Sequence, residues 1–282
     1  MKYFTSAENN PYFWWQLELL VESFKMLGIE DQLIIALADT DHSMALPPNM
    51  RDVKVFGHKN YGAETGYKPI NKPMSVGYAR QGGILGEDEP FLVLDPDMLL
   101  AKPLNEDKLD FNIPLSSQYQ QSMEFAHMEE QGFPTLRNLE KMDKVDKWSC
   151  TGNTYLVGKG VPTEIFNRIA DWCMKLVYEE KQEDKYWWCS EMVAWNLAFI
   201  EADLEIKTRH DLDVLAFYDL DNHHIIHYHN GVPGFWKHDY KDIPDGVLSF
   251  DPYMTMLTIN PKQSSSIRYL QDVVRSYLEG TK

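Results

Sequence analysis

The segment Phe91-Leu-Val-Leu-Asp95-Pro-Asp97-Met98 decides the fold class of this 282-residue chain. Phe91–Leu94 is a continuous apolar run, which is typical of a strand that is buried on both faces of a sheet. Asp95 and Asp97 follow directly, and side chains at positions i and i+2 of an extended segment point the same way. At the carboxyl end of a strand in an open α/β sheet, both would project into the crevice where ligands bind.

The two carboxylates suggest a metal site. Hard oxygen donors suit Mn²⁺ or Mg²⁺, and such a cation can bridge a diphosphate. The alternative is a simple turn that closes the strand, because Asp-Pro-Asp is also good turn chemistry. The apolar residues before the pair, and Met98-Leu99-Leu100 after it, favour the metal site, since a solvated turn need not be so closely enclosed.

Hydrophobic patterning predicts alternating strands and helices around this segment. The pattern of strand, helix, strand, helix, strand is that of a doubly wound, Rossmann-like sheet flanked by helices. The stretch 57–70 is predicted to be irregular. The predicted elements of this part are strands at Lys2–Ser6, Gln32–Ala38, Val53–Phe56 and Phe91–Leu94, and helices at Tyr12–Leu27 and Met74–Gln81.

The second half of the chain is less regular but is also predicted to be α/β. No repeats or linker-like segments interrupt it, so we expect a single domain over residues 1–282. The predicted elements are strands at Thr154–Val157 and Ile225–Tyr228, and helices at Pro162–Glu180, Glu191–Ile200 and Ile267–Leu278.

Composition and charge exclude several classes of protein. With 27 Lys and Arg against 43 Asp and Glu, the net charge of −16 argues against unspecific binding to a phosphate backbone. No apolar run is long enough to span a membrane, and the first residues lack the pattern of a signal peptide. Cys150, Cys173 and Cys189 are an odd, widely spaced trio, as expected for reduced thiols. We therefore expect a cytoplasmic protein without a membrane partner.

A histidine-rich segment, Ile225-Ile226-His227-Tyr228-His229, offers a further metal ligand. A neutral imidazole beside two carboxylates is a reasonable third ligand, although a surface cluster of histidines would give the same pattern. His227 comes directly after an apolar strand and is preferred to His229. Lys237 follows in Gly-Phe-Trp-Lys-His-Asp-Tyr and could place a cation against a leaving diphosphate.

Four weaker signals are each open to a structural explanation. Ser190-Glu191 begins a predicted helix, where Glu191 is either a capping residue or a catalytic carboxylate. Lys72 precedes the proline that starts another predicted helix, and it either reaches a phosphate or is solvated. Gly152-Asn153 precedes a predicted strand and either approaches a ligand or forms an ordinary turn. The adjacent pairs Trp14-Trp15 and Trp187-Trp188 either pack in the core or form an aromatic wall that stacks on sugar rings or bases. We expect the acceptor wall to be formed by Trp187, Trp188, Phe235 and Trp236.

The usual markers of several other enzyme classes are missing from the sequence. There is no G-x-G-x-x-G, no G-x-x-x-x-G-K-[ST], no G-x-S-x-G and no H-E-x-x-H. Dinucleotide oxidoreductases, P-loop NTPases, serine hydrolases and zincins are therefore disfavoured.

Taken together, these blocks resemble the metal-dependent nucleotide-sugar glycosyltransferases of the GT-A fold. More narrowly, the chain is similar to the plant and algal hydroxyproline O-arabinosyltransferase and peptidyl-serine α-galactosyltransferase group. The matching blocks occur in family order over nearly the whole chain. They are Phe4-Thr5-Ser6-Ala7-Glu8 with Tyr12-Phe13-Trp14-Trp15-Gln16, Asn71-Lys72-Pro73, Leu94-Asp95-Pro96-Asp97-Met98, Gly152-Asn153, Glu191-Met192 and Ile225-Ile226-His227-Tyr228.

The resemblance implies a role for each matching position. It implies a transferase of class EC 2.4 that moves a pentose or hexose from a UDP-sugar, with Mn²⁺ or Mg²⁺ as cofactor and with retention of configuration. Residues 1–100 would be the nucleotide-binding half, and residues 101–282 the acceptor-side half with the C-terminal metal ligand. The implied residues are Asp95 and Asp97 (the D-x-D motif) with His227 for the metal, Thr5, Ser6, Asp39 and Thr40 for the nucleoside, Lys72, Gly152 and Asn153 near the donor sugar or diphosphate, and Glu191 beneath the anomeric carbon.

The acceptor and the exact activity stay open. The acceptor would be a hydroxyl on a peptide, a glycan or a small molecule, whereas a modified DNA base is disfavoured by the charge of −16. Family members enter the secretory pathway, and nothing in them closely matches the segment His-Asn-Gly-Val-Pro-Gly-Phe-Trp-Lys-His-Asp-Tyr-Lys-Asp of this chain. Two other functions remain possible: a sugar nucleotidyltransferase, whose usual Gly-rich N-terminal loop is missing, and a non-catalytic sugar- or nucleotide-binding module.

Overall fold

A computed structural model describes most of the chain, in eight segments. Within these residues, no helix is both long and apolar enough to cross a membrane. The described segments are 1–39, 48–118, 151–178, 190–204, 206–229, 231–232, 234–241 and 251–281.

Strands and helices are interspersed along the described parts of the chain. The strands are β1 (Lys2–Glu8), β2 (Leu33–Asp39), β3 (Lys54–Lys59), β4 (Phe91–Leu94), β5 (Met98–Leu100), β6 (Leu115–Gln118), β7 (Thr151–Val157), β8 (Lys207–Arg209), β9 (Asp213–Leu215), β10 (Ile225–His227), β11 (Gly231–Val232) and β12 (Phe235–Trp236). The α-helices are α1 (Pro11–Leu27), α2 (Tyr61–Thr65), α3 (Asn71–Gln81), α4 (Glu164–Tyr178), α5 (Ser190–Glu201), α6 (Asp251–Thr258) and α7 (Ser265–Gly280).

The larger sheet is mixed and confirms the predicted α/β fold class. Its seven strands are hydrogen-bonded in the order β3-β2-β1-β4-β7-β6-β8. Strands β1 and β2 are parallel, with Ser6 beside Ala36, whereas β7 is antiparallel to both β4 and β6.

All the strands and helices that the sequence predicts within the described residues are present, with small differences at their ends. The sequence did not predict eight further elements, which are β5, β6, β8, β9, β11, β12, α2 and α6. The stretch 57–70, expected to be irregular, contains helix α2, because Asn60 caps it by accepting a hydrogen bond from the Ala63 N–H at 2.9 Å. Residues Met98–Leu100, which the sequence indicates only as apolar neighbours of the aspartate pair, form strand β5. This strand pairs with β10.

The described residues divide into two compact units. The first unit comprises residue 1 and residues 58–93 and 109–209, and the second comprises residues 2–57, 94–108 and 210–282. This division follows different boundaries from the expected halves 1–100 and 101–282. The single-domain organisation stays a prediction.

In the first unit, helix α4 packs against α3 and α5, and α5 packs against β7. Helix α4 places its buried residues on one face. Helix α5, by contrast, is buried at almost every position from Ser190 to Ile200. A helix that is apolar or buried all round lies inside a core, so the polar side chains of α5 must find partners within the protein.

In the second unit, helix α1 packs against α7 and β5. The side chain of Asn10 accepts a hydrogen bond from the Phe13 N–H at 3.2 Å, and Pro11 occupies the first turn, where its missing N–H costs nothing. Gly28, with φ of 68°, ends the helix in the left-handed conformation that glycine adopts without strain. These caps confirm the predicted helix Tyr12–Leu27.

Helix α1 also carries a carboxyl group into the core of the second unit. Glu18 is fully buried, and its Oε2 accepts a hydrogen bond from the Tyr253 hydroxyl at 2.5 Å. Burial raises the pKa of Glu18 above its ordinary value of about 4.5, and this outweighs the hydrogen bonds from Tyr253 and Tyr277. The group therefore stays protonated to a higher pH in the folded chain than in the unfolded chain.

We predict that Glu18→Gln removes part of the loss of stability with rising pH. Above pH 4.5 the unfolded chain releases a proton that the folded chain retains, so the free energy of unfolding falls as the pH rises towards the folded-state pKa. An amide keeps an acceptor for Tyr253 but does not titrate. Urea unfolding between pH 4 and 8 should therefore give a flatter stability profile for the variant than for the wild type.

Glu279→Gln on helix α7 is the matched control, because Glu279 is exposed. It should reproduce the wild-type profile. Parallel profiles for Glu18→Gln and the wild type would show that Glu18 titrates alike in the folded and unfolded chains.

Candidate functional site

The aspartate pair lies where the sequence predicts it, directly after the fully buried strand β4. Asp97 is 4% exposed and Asp95 is partly exposed. The chain continues at once into β5, which is antiparallel to β10, with His227 in register with Met98. This pairing brings His227 beside Asp97.

Three side chains from two segments form one cluster. Asp95, Asp97 and His227 each offer a ligand atom, and these atoms all lie within 4.8 Å of one another. His227 Nε2 is 3.3 Å from Asp97 Oδ1. Two carboxylates and an imidazole are donors that fit a divalent cation such as Mn²⁺, which accepts both oxygen and nitrogen ligands.

Lys237 completes the cluster from a third segment. Its Nζ forms an ion pair with Asp97 Oδ2, and the lysine side chain is 13% exposed. Asp97 thus has a cation or potential cation on each carboxylate oxygen. A buried carboxylate is stable in a folded protein when it is paired in this way.

Burial and neighbouring charges shift the pKa values of the groups in this cluster. Burial opposes the ionisation of Asp97, but Lys237 and His227 outweigh it and hold the pKa of Asp97 well below its usual range. Burial likewise opposes the charging of His227, and Asp97 outweighs it, so the pKa of His227 is raised. Burial and the neighbouring His227 lower the pKa of His229 to about 4. Asp97 is therefore available as an anionic ligand at neutral pH.

A tight hairpin brings Lys237 to this position. Strands β11 and β12 pair antiparallel, and Gly231 lies opposite Trp236. Gly231 has φ of 138°, and a Cβ added to it would lie 2.1 Å from the carbonyl oxygen of Phe235. Only glycine allows this close approach. Lys237 follows β12 directly, so the hairpin determines where its ammonium group lies.

Of the two predicted acceptor-wall aromatics within the described residues, one is buried and one is exposed. Phe235 is 1% exposed and packs on Trp15, with the ring centroids 5.9 Å apart, so it belongs to the core and its expected role at an acceptor is wrong. Trp236 is 56% exposed and remains a candidate. Trp187 and Trp188 lie outside the described residues.

A second polar cluster lies within the first unit and contains Lys72 and Glu191. Lys72 Nζ donates to Glu191 Oε2 at 3.2 Å, and the indole N–H of Trp195 donates to Glu191 Oε1. The backbone N–H of Glu191 donates to the Tyr67 hydroxyl at 2.8 Å, which satisfies an N–H at the start of α5. Lys72 and Glu191 are 9% and 3% exposed.

The remaining predicted residues lie on strands. Thr5 and Ser6 belong to β1 and are 0% and 8% exposed, and Thr5 Oγ1 has no hydrogen-bond partner among the described residues. Asn153 is 8% exposed and lies with Gly152 inside β7, which begins earlier than predicted. Asp39 is the last residue of β2, and Thr40 lies outside the described residues. Their roles stay predictions.

The comparisons with known proteins give structural similarity only. No family model matches the chain, and no curated protein matches it. Among solved structures, the galactosyltransferase LgtC in complex with donor and acceptor sugar analogues is 12% identical, with a TM-score of 0.49 over 86% of this chain and 98% of that chain. An active-site mutant of LgtC is 9% identical, with a TM-score of 0.49 over 98% of this chain and 96% of that chain. Neither similarity assigns an activity to this chain.

We predict that the cluster binds one Mn²⁺ ion and that Asp97→Asn weakens the binding at least about tenfold. The amide removes the negative charge that a cation needs while keeping the volume of the side chain. Isothermal titration with MnCl₂ measures the change. Circular dichroism checks the fold, because the substitution also removes the counter-ion of Lys237.

Asp272→Asn is the control for this titration. Asp272 is an exposed carboxylate that pairs with Arg275 on helix α7 at 2.7 Å. The control should bind Mn²⁺ with the wild-type Kd. Equal affinities of both variants and the wild type would show that the cation does not bind at Asp97.

Proposed function

We propose that the chain is a metal-dependent glycosyltransferase of the GT-A fold that transfers a sugar from a UDP-sugar to an acceptor hydroxyl. The observation that carries this proposal is the cluster of Asp95, Asp97 and His227 after the buried strand β4, with Lys237 on Asp97. Such a donor set suits a cation that binds a diphosphate, and Lys237 adds a positive charge from the chain itself. The resemblance of the ordered sequence blocks to this enzyme class supports the proposal.

Asp95, Asp97 and His227 would hold Mn²⁺ or Mg²⁺. The bound cation would supply neutralisation of the negative charge on the diphosphate of the donor. Lys237 would act on the same charge, because its Nζ pairs with Asp97, which is one of the proposed metal ligands. As the bond between the sugar and the diphosphate breaks, its electron pair would leave with UDP, and the Lys237 ammonium would stabilise the departing oxygen.

The other predicted residues would bind the rest of the donor. Strands β1 and β2 are parallel, so their carboxyl ends, at Glu8 and Asp39, lie at one edge of the sheet, and Thr5 and Ser6 lie inside β1 shortly before that end. We assign the nucleoside to this edge and the donor sugar to Lys72 and the backbone of β7. The assigned residues are Thr5, Ser6, Asp39 and Thr40 for the nucleoside, and Lys72, Gly152 and Asn153 for the sugar or diphosphate.

Glu191 is assigned to the anomeric centre. In a reaction with retention, which the family resemblance favours, its carboxylate would stabilise the oxocarbenium-like sugar or act as a transient nucleophile. In a reaction with inversion it would accept the proton of the acceptor hydroxyl. The acceptor would be a hydroxyl on a peptide, a glycan or a small molecule. Peptidyl hydroxyproline or serine, as in the arabinosyltransferase and galactosyltransferase group, is one candidate.

The test is a panel of UDP-sugars scored for UDP release with and without Mn²⁺. We expect at least one donor to be hydrolysed slowly without an acceptor, in a reaction that requires the metal. Asp97→Ala should lower this turnover at least about 100-fold, because it removes a group that organises charge at the leaving diphosphate. Asp272→Asn should retain the wild-type rate.

Two further measurements distinguish the proposed transferase from the two alternative functions. A binding module would bind UDP in a metal-dependent way in isothermal titration but would release none from any donor. A nucleotidyltransferase would consume a sugar phosphate with a nucleoside triphosphate and release pyrophosphate. Turnover that depends neither on the metal nor on Asp97 would contradict the proposed site.

A further inference from the structure

Both carboxylate oxygens of Glu191 accept hydrogen bonds from donors of the chain itself. Lys72 Nζ lies 3.2 Å from Oε2, and the Trp195 indole N–H donates to Oε1. Trp195 lies one turn after Glu191 on α5, so both side chains are on the same face of the helix. The carboxylate is therefore held at two points that differ in chemistry, one cationic and one neutral.

The indole of Trp195 is itself fixed by aromatic packing. Trp195 is fully buried, and its ring stacks on Tyr155 with centroids 4.2 Å apart and an angle of 9° between the planes. Phe166 contacts it edge-on at 5.9 Å, and Phe199 stacks on it at 6.1 Å. An indole has a single donor, and here that donor is used on Glu191. Packing of the rings thus determines the direction in which the N–H points.

The two donors constrain what Glu191 can do. A buried carboxylate that accepts an N–H on one oxygen and an ammonium on the other is stabilised as the anion, and rotation of the group would break both contacts. Such a carboxylate suits a fixed negative charge better than a base that must turn towards a proton. Cys173 on α4 is electrostatically coupled to the same cluster, and burial and the charge of Glu191 raise its pKa, so it adds no second anion.

We propose that Trp195 is a positioning residue that fixes the orientation of the Glu191 carboxylate, so that Glu191 acts as a fixed anion towards the sugar. This proposal rests on the proposed function. It goes beyond it by choosing one role for Glu191 and by naming the residue through which that role is maintained. Trp195 acts through Glu191 and needs no contact with the donor.

The first test compares Trp195→Phe with Phe199→Leu. Trp195→Phe keeps an aromatic ring against Tyr155 but removes the N–H, whereas Phe199→Leu disturbs the packing of the same indole and leaves the N–H in place. We expect Trp195→Phe to lower kcat for metal-dependent UDP-sugar hydrolysis by about 10- to 100-fold, which corresponds to the loss of one charge-assisted hydrogen bond. KM should change little, and Phe199→Leu should retain most of kcat, because the close stack of the indole on Tyr155 stays in place.

The second test asks whether Trp195 acts only through Glu191. In a Glu191→Ala background there is no carboxylate to orient, so Trp195→Phe should lower kcat no further. Trp195→His, whose smaller ring retains an N–H, should recover part of the loss. Equal losses in Trp195→Phe and Phe199→Leu, or a full effect of Trp195→Phe in the Glu191→Ala background, would overturn the proposal.

Urea unfolding of the wild type, Trp195→Phe, Glu191→Ala and the double variant gives a measurement that does not depend on activity. The effects of Trp195→Phe and Glu191→Ala on the unfolding midpoint should be non-additive, because the two side chains share a hydrogen bond. Additive effects would overturn the positioning role. If the wild type releases UDP from no donor, the proposed function fails, whereas turnover with additive effects overturns only the role of Trp195.

Discussion

The second unit depends on one buried charge, the carboxylate of Asp97. It contacts the imidazole of His227 on one oxygen and the ammonium of Lys237 on the other. The carbonyl oxygen of Asp97 also accepts a hydrogen bond from the Tyr228 N–H at 3.2 Å. Removing a carboxylate from water is unfavourable unless partners replace the water. The strand end at His227-Tyr228 and the hairpin that precedes Lys237 must therefore both meet the segment that carries Asp97, and together they supply these three contacts.

Much of this arrangement follows from local sequence patterns. The apolar run Phe91–Leu94 predicts a buried strand, and the position of Asp95 and Asp97 after it places both acids at the strand end. The sequence favours His227 over His229, because His227 comes at the end of an apolar strand, and the register of β10 with β5 brings His227 to Asp97. These predictions work because strand burial and the direction of side chains along a strand are local properties.

Other features depend on contacts that only the folded chain makes, and they have no signal in the local sequence. Strand β5 is only three residues long, and its pairing with β10 cannot be derived from the composition of either strand. The need for glycine at position 231 arises from the carbonyl of Phe235, which only the folded hairpin brings close. Likewise the spacing of Glu191 and Trp195 on one helix is visible in the sequence, but the ion pair with Lys72 joins residues 119 positions apart.

The net charge of −16 affects the binding of a small diphosphate and the binding of a nucleic acid duplex differently. At physiological ionic strength, exposed charges are screened over about 8 Å, so a small diphosphate responds mainly to the groups around Asp97. There Lys237 and a bound cation would offset the two carboxylates. A nucleic acid duplex carries one charge for about every 1.7 Å of its axis, and it would extend over many of the 43 acidic side chains. The same composition therefore permits a nucleotide donor and opposes a polyanionic acceptor, which favours hydroxyls on uncharged peptides, glycans or small molecules.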